Sequence, residues 1–373
     1  METGFGIAGA CLCRARIRGK EDGMQYLWKR KVNPLCMILL SLLFAHGATC
    51  WTQNLKTSPA RQTGAAIAGN VEDWNSLLLT NGALTPEPPL LGEKDDLPQF
   101  TRELLQVKWR RGDPIDLYVI RPKGVSNPPV ILYLYTYPSE SDRFRNDDYG
   151  ARLTKDGFAA IGFVSALTGH RYQNRPMKEW LVSELPEALG TSVHDVQMIL
   201  NYLSTRGDLD MSKVGMFGEG SGGTIAILSA AVDPRIKTVD VLDPWGDWPD
   251  WMAKSDLIPE VERPNYVKPE FLQKVAAFDP VQWLPRLNSQ HVRIQQVMDD
   301  AVTPKLAKER INSAAPPDAQ VVRYDSTRDF FGAISGGRIF QWAKEQLKPA
   351  PPKPSAIQAS QKSGVRAVES GRD

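Results

Sequence analysis

A chain of 373 residues, 24% charged and 42% hydrophobic, has the composition of a globular protein, with room for one α/β domain of about 250 residues plus tails. Its net charge of +2 gives no reason to expect nucleic acid or an anionic membrane surface as a partner. Its four cysteines, Cys11, Cys13, Cys36 and Cys50, precede the folded part, which therefore holds neither a disulfide nor a thiolate metal site; no metal and no cofactor are implied.

Residues 24–50 read as a secretory signal. Lys29, Arg30 and Lys31 supply the positive start, and Leu35 to Ala45 is an apolar run of 11 residues, too short to cross a hydrocarbon layer of about 30 Å. Small residues follow at Ala45, Gly47 and Ala48. The expectation is that residues 1–50 are a leader and signal peptide, with Met24 a candidate start. The mature product is then secreted or periplasmic, without a stable membrane span. The alternative is an uncleaved, membrane-anchored form. Cys50 is a poor lipidation site because Thr49 precedes it.

Residues 51–100 form a mixed N-terminal extension broken by Pro86, Pro88, Pro89 and Pro98, with a short helix expected near Glu72–Leu79. Strand patterns at Leu104–Trp109 and Ile115–Ile120 flank a hairpin turn. Val130–Tyr135 reads as a buried strand, Asp148–Asp156 as a helix stopped by Gly157, and Phe158–Val164 as a strand. Ser192–Leu203 is an amphipathic helix, with Ser192 and Asp195 in the places of a capping box. Ile236–Leu242 is a strand, followed by a tryptophan- and proline-rich insert at 245–287 that predicts a lid. Val292–Val297 is a strand followed by a helix to about Ser313, Ala319–Tyr324 is the last strand, with a loop expected at 325–331, Arg338–Leu347 is the last helix, and 349–373 is a disordered tail.

Between the helix at 192–203 and the strand at 236–242 stands Gly218-Glu219-Gly220-Ser221-Gly222-Gly223, an apolar run entering a glycine knot with a helix leaving it. In the strand–turn–helix motif G-x-S-x-G the central residue is a nucleophile on a strained turn. The glycines set the register: Gly218 lies two before the centre and Gly222 two after. That puts Gly220 in the nucleophile's place, with Ser221 one residue late and Glu219 before the tip.

Strands alternating with helices, a leading hairpin, this elbow and an insert before the last two strands resemble the α/β-hydrolase superfamily, in its secreted esterase, dienelactone-hydrolase and prolyl-oligopeptidase-like branches. The resemblance covers residues 101–348. It implies a mostly parallel central sheet covered by helices on both faces, and acyl hydrolysis by serine, acid and histidine in that order. Asp300, four before Pro304, fits the acid position, with Asp299 beside it. Arg328 stands where the histidine belongs and cannot act as a base; an ion pair with Asp300 is expected instead. Tyr135 and Thr136 replace the usual His-Gly of the oxyanion loop, where Tyr135 is placed to bond a ligand.

Three functions compete. The first is a hydrolase-fold protein with a degenerate triad that binds a small molecule or peptide, or serves a structural role. The second is an active serine esterase or peptidase built from Ser221, His170 and a carboxylate. The third is acid–base chemistry by Glu219, Asp300 and His170. Placing Ser221 at the centre of the elbow puts Glu219 where a small residue is required, which favours the first.

Overall fold

A computed structural model describes residues 73, 76–79, 87–110, 113–136, 141–167, 184–287, 290–335 and 338–348. The leader, most of the short helix expected at 72–79, the loop holding His170 and the C-terminal tail lie outside the described residues; residues 76–79 are irregular. The elements belong to one compact unit, Pro86–Asp373 with Trp74–Leu78; the other unit, Met1–Asp73 with Leu79–Thr85, is almost wholly undescribed.

Nine strands make one sheet: β1 Leu90–Asp96, β2 Phe100–Val107, β3 Ile115–Pro122, β4 Pro129–Leu134, β5 Ala159–Phe163, β6 Asp210–Glu219, β7 Ile236–Leu242, β8 His291–Val297 and β9 Gln320–Tyr324. Their order is β1-β2-β3-β5-β4-β6-β7-β8-β9. The first three strands run antiparallel to their neighbours, and β5-β4-β6-β7-β8-β9 are parallel. The sheet starts at Leu90, inside the stretch read as an extension. β1 escapes the pattern of alternation because it is an edge strand exposed along nearly its whole length.

The helices are α1 Asp147–Thr154, α2 Leu185–Thr205, α3 Ser221–Val232, α4 Trp248–Lys254, α5 Arg263–Tyr266, α6 Pro269–Ala276, α7 Pro280–Trp283, α8 Lys305–Ala314, α9 Thr327–Ile334 and α10 Gln341–Leu347. Helix α2 starts seven residues before the expected Ser192, because Pro186 fits its first turn. Ser192 is not a cap: it is buried mid-helix, donates to the Ala188 carbonyl at 2.7 Å and accepts from the Ala166 N–H at 3.0 Å.

Side-chain alternation assigns the two faces of the sheet. A Cβ on Gly215 would meet Leu347 of α10, whereas one on Gly218, three residues on, would meet the start of α3. Helices α10 and α3 therefore cover opposite faces. Tyr133 and Phe217 share the α10 face, since Phe340 packs edge-on against both. Tyr135 lies beside Phe217 and Phe144 there, and Phe144 packs against Tyr149 of α1. The chain leaves β4 towards β5 on one side and returns to β6 on the other. The carboxyl ends of β4 and β6 thus form the switch point at which sheets of this kind bind ligands.

Candidate functional site

The elbow stands at that switch point. Strand β6 ends at Glu219, α3 begins at Ser221, and Gly220 makes the turn alone with φ 55° and ψ −119°. This is a region that side chains rarely enter without strain. Its N–H donates to the Leu242 carbonyl at 2.8 Å, and its carbonyl accepts from Thr224 at 3.1 Å and Trp245 at 3.3 Å. Strand and helix nearly touch: a Cβ on Gly218 would fall 2.6 Å from the Gly223 Cα, and one on Gly222 would fall 2.6 Å from the Leu134 carbonyl oxygen.

The space in front of Gly220 is occupied. A Cβ there would lie 2.7 Å from the Thr136 Cβ, with the Thr136 hydroxyl closer still, and 3.0 Å from the Trp245 Nε1. Ser221, the other candidate for the tip, is fully buried as the first residue of α3.

Glu219 is nearly buried, and among the described residues nothing donates to or pairs with its carboxylate. It follows Phe217 by two residues, so it shares the α10 face with Tyr135; Leu134 and Gly218 are register partners, which brings Tyr135 and Glu219 side by side. The Tyr135 hydroxyl contacts that of Tyr149, so it is engaged inside the fold.

The acid loop between β8 and α8 is clamped from below. Lys308 is buried, and its ammonium donates to the carbonyls of Val297 at 2.5 Å and Asp300 at 2.7 Å, with the Asp243 Oδ1 3.8 Å away. Asp243, itself at φ 43°, accepts from the Val297 N–H at 3.0 Å. Within the loop the Asp300 Oδ2 accepts from the Thr303 N–H at 3.3 Å. The link to the loop after β9 is made by Asp299: its Oδ1 accepts from the Thr327 N–H at 2.9 Å and the Thr327 hydroxyl at 2.7 Å.

Arg328 does not pair with Asp300. It is exposed in the first turn of α9, a helix not expected from the sequence. Ser326 caps that helix, accepting from the Asp329 N–H at 3.2 Å and donating to the Asp329 carboxylate at 2.7 Å. The sequence carries the cap signal for this helix in Ser-x-x-Asp at 326–329.

The insert packs inward. Trp245, Trp248 and Trp251 are buried, with ring centroids 4.9 Å apart for 245–251 and 5.7 Å for 248–251. No acceptor among the described residues meets any of their three indole N–H groups. Asp279 ties the insert together, accepting from the N–H groups of Asp247 at 3.0 Å and Trp248 at 3.2 Å. Burial pushes the carboxyls of Asp279 and Asp247 above the ordinary range, although Arg310 opposes this at Asp247. His194, outside the site, is buried in α2 with its Nε2 2.7 Å from the Ser76 carbonyl oxygen. Among the described residues no cluster of histidine, cysteine and carboxylates is suited to a metal, and no helix is long and apolar enough to cross a membrane.

No family model matches the chain. A curated relative, the Bacillus subtilis (strain 168) protein YtaP, described as a hydrolase, is 23% identical over 176 residues, which are 40% of this chain and 58% of that protein's length. Acetyl xylan esterase 1 from Thermoanaerobacterium sp. JW/SL YS485 superposes with a TM-score of 0.55 at 15% identity, over 71% of this chain and 89% of that one. The acetyl xylan esterase of Paenibacillus sp. R4 gives 0.53 at 15% identity, over 70% and 89%. The 2,6-dihydroxy-pseudo-oxynicotine hydrolase gives 0.52 at 18% identity, over 68% and 70%. Likeness at such identities is likeness of architecture, and with the parallel sheet, the switch point and the elbow it makes this chain a protein of the α/β-hydrolase fold.

Proposed function

We propose that this chain keeps the ligand site of a hydrolase fold without the acyl-transfer machinery, and that it works by binding a small molecule or peptide rather than by cleaving one. The observation that carries this reading is the filled space at the elbow tip: Thr136 and Trp245 stand where the side chain of a nucleophile on Gly220 would be. The supporting observations are the burial of Ser221 and the exposure of Arg328 in place of a base. An active serine hydrolase would need Ser221 to leave the helix start and reach solvent. The signal-like stretch at 24–50 makes export part of this proposal.

The test is to treat the purified chain with a fluorophosphonate serine probe and with activated esters of short acids. Neither labelling nor turnover above the uncatalysed rate is expected. Stoichiometric labelling at Ser221 would replace this reading with an active esterase.

A further inference from the structure

Beyond the end of β4 stands an arginine that meets no counter-charge among the described residues. Arg143 lies in the 3-10 turn Ser141–Arg145, and its guanidinium carbon sits 3.6 Å from the centroid of the Tyr135 ring. Its neighbours are engaged within the fold: Arg145 donates to the Tyr118 hydroxyl at 2.8 Å, and Arg102 pairs with Asp95 at 2.6 Å and Asp147 at 3.0 Å. Among the described residues no acceptor meets the buried Arg143 Nη1 and no ion pair includes this residue.

A guanidinium keeps its charge at every accessible pH, and burying part of it without an acceptor is unfavourable. Its planar fork matches the two oxygens of a carboxylate. Stacking on Tyr135 fixes the plane of that fork before a ligand arrives, which lowers the ordering cost of binding. Tyr135 leads directly to Thr136, whose side chain abuts Gly220. Glu219 is on the same face beside Tyr135 and does not pair with Arg143. Its charge opposes a second anionic group on the ligand.

We infer that Arg143 is the anion anchor of the elbow site, and that the ligand is a small organic acid with one carboxylate. The carboxylate docks on the Arg143 fork, and the body of the ligand lies over Thr136, outside the space that Thr136 and Trp245 fill in front of Gly220. This rests on the reading of the elbow as a binding site.

Calorimetric titration of the full chain with N-acetylglycine, its methyl ester, N-acetylaspartate and inorganic phosphate tests it. The acid should bind about ten-fold or more tightly than its uncharged ester, and more tightly than the dicarboxylate. Arg143→Gln should abolish the preference for acid over ester, and Arg143→Lys should retain part of it, since lysine keeps the charge without the fork. The inference is overturned if the ester binds as well as the acid, if Arg143→Gln leaves the preference intact, or if phosphate binds as tightly as the acid. It is also overturned if none of the four binds at about 10 mM. Should Arg143→Gln fail to fold, the acid–ester comparison on the native chain and the lysine variant still decide. Turnover of activated esters would remove the binding-only reading and leave this comparison untouched. Equal binding of acid and ester would remove the anchor and leave the binding reading in place.

Discussion

Thr136 stands in the place that a side chain on Gly220 would need: its Cβ is 2.7 Å from where that side chain would begin. A glycine at the tip and the filling of the space in front of it are thus one arrangement, made by residues far apart in sequence. Gly220→Ser alone should cost about 2–4 kcal/mol, from strain at φ 55° and from the clash. Thr136→Gly should recover the steric part in the double variant. Urea unfolding of the two single variants and the double variant gives the coupling; additive costs would mean that Thr136 yields freely and does not fill the space.

Ser221→Ala should leave any residual ester turnover unchanged. The side chain is fully buried at the start of α3, and its replacement removes one hydroxyl from the interior without touching the tip. A loss of turnover with an unchanged melting curve would make Ser221 the working nucleophile.

Much of this was legible in the chain itself. Strands β4 and β5 are carried by apolar runs, and the glycine spacing alone placed Gly220 at the turn, because strand and helix approach too closely there for any other register. The edge strand β1 was not legible, since an exposed strand needs no alternation. The role of Asp299 was also hidden. Asp299 and Asp300 are equal in sequence, and only the position of Thr327 decides which carboxylate reaches across. The filling of the tip depends on a contact between Thr136 and Gly220, far apart in the chain, which no local pattern encodes. The expected pairing of Arg328 with Asp300 failed because Ser326 starts a helix that carries the arginine outward.

Arg206 should make the stability of the domain depend on pH in acid. Its guanidinium donates to Glu103 at 2.7 Å and to Asp208 at 3.0 Å. Burial pulls both carboxyls upward, but the hydrogen bonds and charge of Arg206 outweigh it, helped by Lys94 at Glu103 and Arg121 at Asp208, and leave both below their ordinary values. Groups lowered in the folded state bind fewer protons than in the unfolded chain. Their contribution is therefore present above the unfolded carboxylate range of about pH 4 and is lost as pH falls through the folded values. Arg206→Gln should be less stable by about 1–3 kcal/mol at neutral pH, with the gap closing towards pH ~3. An equal gap at both pH values would mean that the arginine acts through packing alone.

Lys308 should hold the acid loop in shape rather than take part in chemistry. Its ammonium is buried and donates to the last carbonyl of β8, at Val297, and to that of Asp300, so one side chain fixes both ends of the turn that presents Asp299 and Asp300. Lys308→Met keeps the length of the side chain but leaves the Asp300 carbonyl without its ammonium donor, the Val297 carbonyl with the Asp300 N–H at 3.1 Å as its remaining donor, and Asp243 without its nearby positive charge. Breaking a buried arrangement of this kind from one side should cost about 3–5 kcal/mol. Adding Asp243→Asn should cost less than its effect alone, because the charge it removes has already lost its partner. The damage should also be local. Amide exchange should rise first at residues 298–304 and at Thr327, which hangs on Asp299, before it rises in the β4–β6 core. If Lys308→Met unfolded the whole sheet together with no early exchange in that loop, the lysine would be supporting the core. If it changed neither stability nor exchange, the loop would owe its shape to its other contacts, among them the Asp243 carboxylate on the Val297 N–H and the Asp300 carboxylate on the Thr303 N–H.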